Sequence, residues 1–237
     1  MGAMLYVIGQ RLQVYGNAIG SAANSAVLIA LEPITTSLAA AMFLREHIGP
    51  RRIAGFLLGM AGVALLNGAG RPDFSWGSLG ASLIFASSFI CEAAYSVMGK
   101  TIVQRFSVMK MLAISILIGT AINLLIDGHS TIAAAKGLSV PLWGLIITMA
   151  IVCTAIGYSL WFVVIRDCPV NVAALTIFAQ ALFGVLIAAV WLHEKLRAAQ
   201  LWGGLIIVAG MAIGLSRQIK VNGGRADETS KSKLQNS

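Results

Sequence analysis

Apolar runs of roughly 17 to 25 residues recur along the whole chain, the length at which a helix crosses a hydrocarbon core of about 30 Å. They fall near residues 4–18, 24–44, 53–69, 76–98, 108–126, 141–165, 171–192 and 200–216, eight spans with the first one incomplete. In hydrocarbon no water is available to a stray amide, so each run has to close its backbone hydrogen bonds within itself. A transmembrane β-barrel would alternate polar and apolar residues at every second position. These runs are apolar on all sides with rare polar insertions. The predicted fold class is therefore all-α and integral to a membrane. Composition supports it: charged residues are 11% of the chain and hydrophobic ones 58%, with a mean hydropathy of +0.85. A water-soluble domain carries about 25% charged residues. Residues 217–237 are polar, with Lys220, Arg225, Lys231 and Lys233 among Gly, Ser and Asn, and read as a solvated, disordered tail. No cleavable signal peptide is expected, because no basic stretch precedes the first apolar run.

The net charge of +8 is a statement about topology. Alternating the loops across the bilayer puts Arg45, Arg51, Arg52, Lys100, Arg105, Lys110, Arg166 and the basic tail residues on one side. The other side receives Arg71, Lys136, Lys195 and Arg197. An excess of Lys and Arg marks the cytoplasmic face, so the C-terminus is predicted inside, in a cell membrane. No basic groove with interleaved aromatics is present, and nucleic acid is not an expected partner.

The chain also repeats itself. A shift of 148 residues aligns 5–66 with 153–214 without a gap, and 15 of 62 positions are identical. Ile8-Gly9 matches Ile156-Gly157, Leu12 matches Leu160, and Leu44-x-Glu46 matches Leu192-x-Glu194; Gly55 and Gly62 fall on Gly203 and Gly210. An odd number of spans separates the copies, so equivalent loops lie on opposite sides of the membrane. Inverted repeats of this kind are the architecture of secondary transporters, whose solute site lies near the midplane at the repeat interface. The expected organisation is a partial first repeat of three helices over 1–69, a complete second repeat of five over 70–216, and the tail. The two helices that open the second repeat, 76–98 and 108–126, have no counterparts before Met1.

Several of these residues resemble a known family. Leu31-Glu32-Pro33-Ile34, Leu44-Arg45-Glu46 and Gly55 with Gly62 are similar to the EamA module of the drug/metabolite transporter superfamily. His193-Glu194-Lys195-Leu196 with Gly203-Gly204 and Gly210 resembles the end of a second such module. The resemblance covers residues 5–216. It implies a ten-helix carrier with both termini cytoplasmic that moves metabolites, amino acids, nucleotide sugars or drugs. The chain departs from that pattern in lacking the first two helices and in carrying Ala181 where the second module often has proline. The expected function is thus secondary transport, as an exporter, of small metabolites or amphipathic solutes. The alternative is a truncated, non-transporting membrane protein or an interaction subunit.

Ionisable groups inside a span are costly and point to function. Glu32 sits mid-span beside Pro33, which cannot donate to the preceding turn and so frees a carbonyl. Asn24, Ser25, Leu28, Glu32, Thr35 and Thr36 share one helical face, and Val27, Ile34, Leu38 and Met42 take the other. Gln180 is the repeat partner of Glu32. Tyr6, Gln10, Gln13 and Asn17 form a second stripe, whose repeat partners include Tyr158 and Trp161; Ser88, Glu92, Tyr95 and Ser96 form a third. The candidate substrate- or proton-binding residues are Glu32, Glu92, Gln180, Gln10, Gln13, Asn24, Tyr95, Tyr158 and Trp161. Arg11 is a candidate counter-ion to Glu32 or Glu92, or a residue reaching for the interface. Polar residues between spans also serve as hydrogen-bond links between helices, and that reading stays open for each. Glu46 and Glu194 end their helices beside basic loops and read as loop–helix pairing residues. Cys91, Cys153 and Cys168 have no paired spacing, no metal-ligand pattern is present, and no cofactor is expected. Enzymatic activity is not expected, since no nucleophile–base or metal constellation accompanies the carboxyls. Gly55-x-x-x-Gly59 and Gly210-x-x-x-Gly214 suit close helix packing, inside the fold or across a homodimer. The remaining partners are a small-molecule solute and the lipid bilayer.

Overall fold

The computed structural model describes residues 1–191 and 197–235, and the described residues are helices joined by short turns, without strands. A π-helical turn (Met4–Gly9) runs into α1 (Gln10–Ile19). Then α2 (Ala22–Leu28), a 3-10 turn (Ile29–Leu31) and α3 (Glu32–Leu44) make one interrupted span. They are followed by α4 (Pro50–Leu66), α5 (Leu79–Val103), α6 (Val108–Lys136) and α7 (Val140–Met149). A π-helical segment (Ala150–Gly157) joins α7 to α8 (Tyr158–Asp167). Next come α9 (Val170–Ala173), a 3-10 turn (Ala174–Ile177), α10 (Phe178–Trp191) and α11 (Ala198–Gln235).

Six stretches of the described residues are long and apolar enough to cross a membrane: Asn24–Leu44, Leu79–Val103, Val108–Lys136, Val140–Asp167, Val170–Ile187 and Ala198–Ser216. Two further expected spans are shorter. The first is a 6-residue π turn followed by the 10 residues of α1, and the third is the 17-residue α4. The helix of α11 continues past Ser216 to Gln235, through residues that sequence alone assigns to a solvated tail. The loop–helix role expected of Glu194, and the motif around His193, lie outside the described residues.

Local breaks fall where the chemistry demands them. Pro33 has no N–H for the carbonyl of Ile29, and the N–H of Glu32 takes that carbonyl instead in 3-10 geometry. The Thr35 hydroxyl donates to the Leu31 carbonyl at 2.9 Å. Element starts also follow the repeat. Gln10 opens α1 and Tyr158 opens α8; Ala22 opens α2 and Val170 opens α9; Pro50 opens α4 and Ala198 opens α11. Each pair is 148 residues apart. The π turns precede α1 and α8 alike, so the copies share their irregularities as well as their helices.

By contacts the chain divides into two compact units, Met1–Glu46 with Ser75–Ala173, and His47–Phe74 with Ala174–Ser237. In the first, a core of Leu5, Ala40, Tyr95, Val97, Met111, Phe162, Ile165 and Val170 gathers the π turn, α3, α5, α6, α8 and α9. No residue of α7 is buried, so that apolar helix presents its sides to lipid.

The second unit is held by α4 against α11. A Cβ on Gly55 would come within 2.8 Å of the Gly210 carbonyl oxygen and 3.0 Å of the Gly214 Cα. One on Gly210 would meet the Gly55 oxygen at 2.9 Å. These backbones touch because neither side carries a side chain there. The small-residue pairs left open between fold and dimer therefore serve the fold. Gly210→Leu is expected to destabilise the protein by about 1–3 kcal/mol through overpacking. Gly144→Leu on α7, where an added Cβ meets nothing within 4 Å, should stay near the parent. Thermal unfolding in detergent compares the two.

Candidate functional site

Five of the residues with chemistry to offer converge inside the first unit. Glu32 opens α3 at the break made by Pro33, and Glu92 lies on α5. Their carboxyl groups are hydrogen-bonded to each other. An ionised carboxylate only accepts, so this bond needs a proton on one of the two oxygens it joins. Both side chains are partly buried.

Three tyrosines stand beside them. The Tyr6, Tyr95 and Tyr158 rings meet edge to face in every pairing, with centroids 5.7, 5.8 and 6.0 Å apart. The Tyr6 and Tyr95 hydroxyls lie 3.3 Å apart, and Tyr95 also bonds Ser115 of α6. Tyr158 is within electrostatic reach of both carboxyls, and Tyr6 of Glu92. Edge-to-face packing fixes the ring directions, and Phe162 locks Tyr95 further at 5.2 Å. Tyr6 can come this close because α6 carries Gly119, where a Cβ would lie 2.6 Å from the Tyr6 Cβ. The residues come from both sequence copies: Tyr6 and Glu32 from the first, Glu92, Tyr95 and Tyr158 from the second.

Other candidates go elsewhere. Asn24 is buried and its amide donates to the Ser82 hydroxyl at 2.7 Å, which ties α2 to α5. The Trp161 indole N–H donates to the Ser96 hydroxyl at 3.2 Å, at the edge of the tyrosine cluster. Gln10 and Gln13 are partly buried on α1, which packs along α5. Gln180 is exposed on α10 and belongs to the second unit.

Arg11 is not a counter-ion to the acidic pair. It binds Asp127 and donates to the Asn123 side-chain oxygen at 3.0 Å, and the Asn123 amide donates to the Tyr6 carbonyl at 2.9 Å. Sequence reasoning missed Asn123 and Asp127. Their spacing of four on one apolar helix was the available signal. Asp127 departs from helical geometry (φ −124°, ψ 15°), which kinks α6 at that point.

Glu46 does what its place in the sequence suggests. Arg45 adopts a left-handed backbone (φ 54°) that ends α3. The Glu46 carboxylate then accepts from the Val170 and Asn171 N–H groups at 2.8 and 3.0 Å, satisfying the open start of α9. Lys100 of α5 donates to the same carboxylate at 3.0 Å and to the Cys168 carbonyl at 2.8 Å. The three cysteines are free.

A membrane bundle with breaks at matched places in two sequence copies, and an acidic–aromatic cluster at one of them, has the form of a solute carrier. The chain belongs to the EamA-like transporter family, which matches residues 1–68 and 78–215. It is similar to an "uncharacterized transporter" of Archaeoglobus fulgidus, 23% identical over 84% of this chain and 68% of the relative. It is similar also to the uncharacterized transporter YyaM of Bacillus subtilis, 23% identical over 85% and 68%. A "probable terminal-alkyne amino-acid exporter" of Streptantibioticus cattleyicolor is 24% identical over 86% and 67%. A solved crystal structure aligns with 92% of this chain and 76% of its own at a TM-score of 0.78 and 20% identity, a likeness of fold.

The Glu46 and Lys100 side chains are only 11% and 13% exposed, so neither is readily compensated by solvent once its partner is lost. Lys100→Met is expected to cost about 3 kcal/mol of stability. Arg71→Met, whose partner Asp73 is 67% exposed, should cost under about 1 kcal/mol. Unfolding of the two variants in detergent measures the difference.

Proposed function

We propose that the chain is a carrier that exports small amphipathic solutes and that the Glu32–Glu92 pair with Tyr6, Tyr95 and Tyr158 is its solute and proton site. The observation that carries this reading is the carboxyl–carboxyl hydrogen bond inside two membrane spans. Such a pair holds a proton and stays within lipid-embedded helices, where structural links are ordinarily made by hydroxyls and amides at far lower cost. The tyrosine faces supply apolar contact for a solute body, and their hydroxyls supply polar contact. Membership in a transporter family and the exporter name of one relative support the direction.

The helix breaks fit the same reading. A 3-10 turn and a π turn are places where a helix bends without losing its internal bonds, and they flank Glu32 and Tyr6. Rocking of the repeats about these points would open the cluster to alternate sides.

Reconstituted protein is expected to move at least one solute from a panel of amino acids, amines, nucleosides and aromatic metabolites, and Glu32→Gln is expected to reduce that flux about tenfold. Membrane insertion of the variant, checked by protease protection, should be intact. Flux unchanged in the variant across pH would remove Glu32 from the site. Absence of flux for the whole panel with the parent protein would favour a non-transporting interaction subunit.

A further inference from the structure

We infer that the site recognises a monocation: an ammonium or guanidinium group, carried on an apolar or aromatic body, that neutralises the Glu32–Glu92 pair. The inference rests on the carrier reading and narrows its substrate class.

The charge ledger of the described side chains carries it. Glu46 is matched by Lys100, Asp73 by Arg71, Asp127 by Arg11 and Asp167 by Arg166. Among the described residues, Glu32 and Glu92 alone have no basic partner and have each other instead. One shared proton makes their hydrogen bond and leaves one negative charge on the pair. A buried charge without a counter-charge is expensive, and the two cations on neighbouring elements are engaged: Arg11 by Asp127, Lys100 by Glu46.

The surroundings favour the same ligand. The other titratable groups facing the pair are Tyr6 from the π turn, Tyr95 and Cys91 from α5, and Tyr158 from α8. None brings a positive charge. Aromatic faces attract cations through the ring quadrupole, more strongly where water is excluded. An anionic solute would meet like charge.

Charge balance then fixes the stoichiometry. The pair with one proton carries −1, and it becomes neutral on taking either a second proton or one solute cation. The two compete for the same charge, so one cation leaves for one proton entering, and the exchange is electroneutral.

The test uses benzyltrimethylammonium, which has no proton of its own to confuse the count, with the 237-residue chain in liposomes. Saturable flux driven by a pH gradient is expected, insensitive to membrane potential. Probe binding in detergent should weaken as pH falls. Glu32→Gln and Glu92→Gln should each weaken binding about tenfold or more, Tyr158→Leu less so, and Tyr158→Phe little, since it keeps the ring face. Flux of neutral or anionic panel solutes with none of the cation overturns the inference and leaves the carrier reading standing. Cation flux unaltered in both Gln variants also overturns it. No flux of any solute overturns both.

Discussion

Every backbone amide in a lipid-embedded span has to be satisfied by its own helix, and this constraint organises the protein. It sets the length of the segments, excludes open strands, and makes any interruption of a helix an event that needs a local remedy. The interruption at Ile29–Leu31 shows the remedy. Proline removes one donor, the adjacent Glu32 N–H takes the orphaned carbonyl, and the Thr35 hydroxyl covers the next one that is exposed by the change of pitch. The π turn at Met4–Gly9 is treated in the same way, with Asn123 of α6 reaching the Tyr6 carbonyl. In both places the remedy also fixes the position of a residue of the candidate site. Helix breaks are therefore where backbone chemistry and side-chain chemistry meet in this chain.

Packing in the two units follows from what holds helices together when water is absent from between them. In the second unit, α4 and α11 gain contact by removing side chains altogether, backbone against backbone at Gly55 and Gly210. In the first unit, larger side chains interlock around Tyr95 and Phe162, which are almost fully buried. The ion pairs differ in the same spirit. Lys100 and Glu46 are shielded and each has further hydrogen bonds, so the pair organises the start of α9. Arg11 and Asp127 are over 40% exposed, and their contribution lies more in holding Asn123 against the π turn than in Coulomb energy.

Much of this was legible in the sequence because the signals were periodic. Apolar run length gave the helices, the 148-residue shift gave the correspondence of copies, and the i, i+3, i+4 spacing around Glu32 put Asn24, Ser25 and Thr36 on a buried face with Leu38 and Met42 outward. Glu46 was readable from its place between a helix end and a basic loop. The errors came from contacts between segments distant in sequence. Nothing along the chain told that Arg11 would find Asp127, more than a hundred residues on, or that Asn24 would be spent on Ser82. Gln180 matched Glu32 in the alignment, yet a repeat relates positions in two copies and does not bring them together. Short spans were misjudged in length because π and 3-10 turns change the rise per residue, and periodicity does not report them.

The acidic pair remains to be weighed against a purely structural role. A hydrogen bond linking α3 to α5 could be made by two serines or by a serine and a backbone carbonyl, as Asn24 and Ser82 do between α2 and α5 in the same unit. Carboxyls in that position add desolvation cost and an uncompensated charge, for a link of about 0.6 kcal/mol between membrane helices. Stability alone therefore disfavours them, and a function that needs the charge has to repay the difference. Three tyrosine rings set edge to face beside that charge, two of them on elements that a helix break allows to move, provide a setting in which an arriving solute could do so.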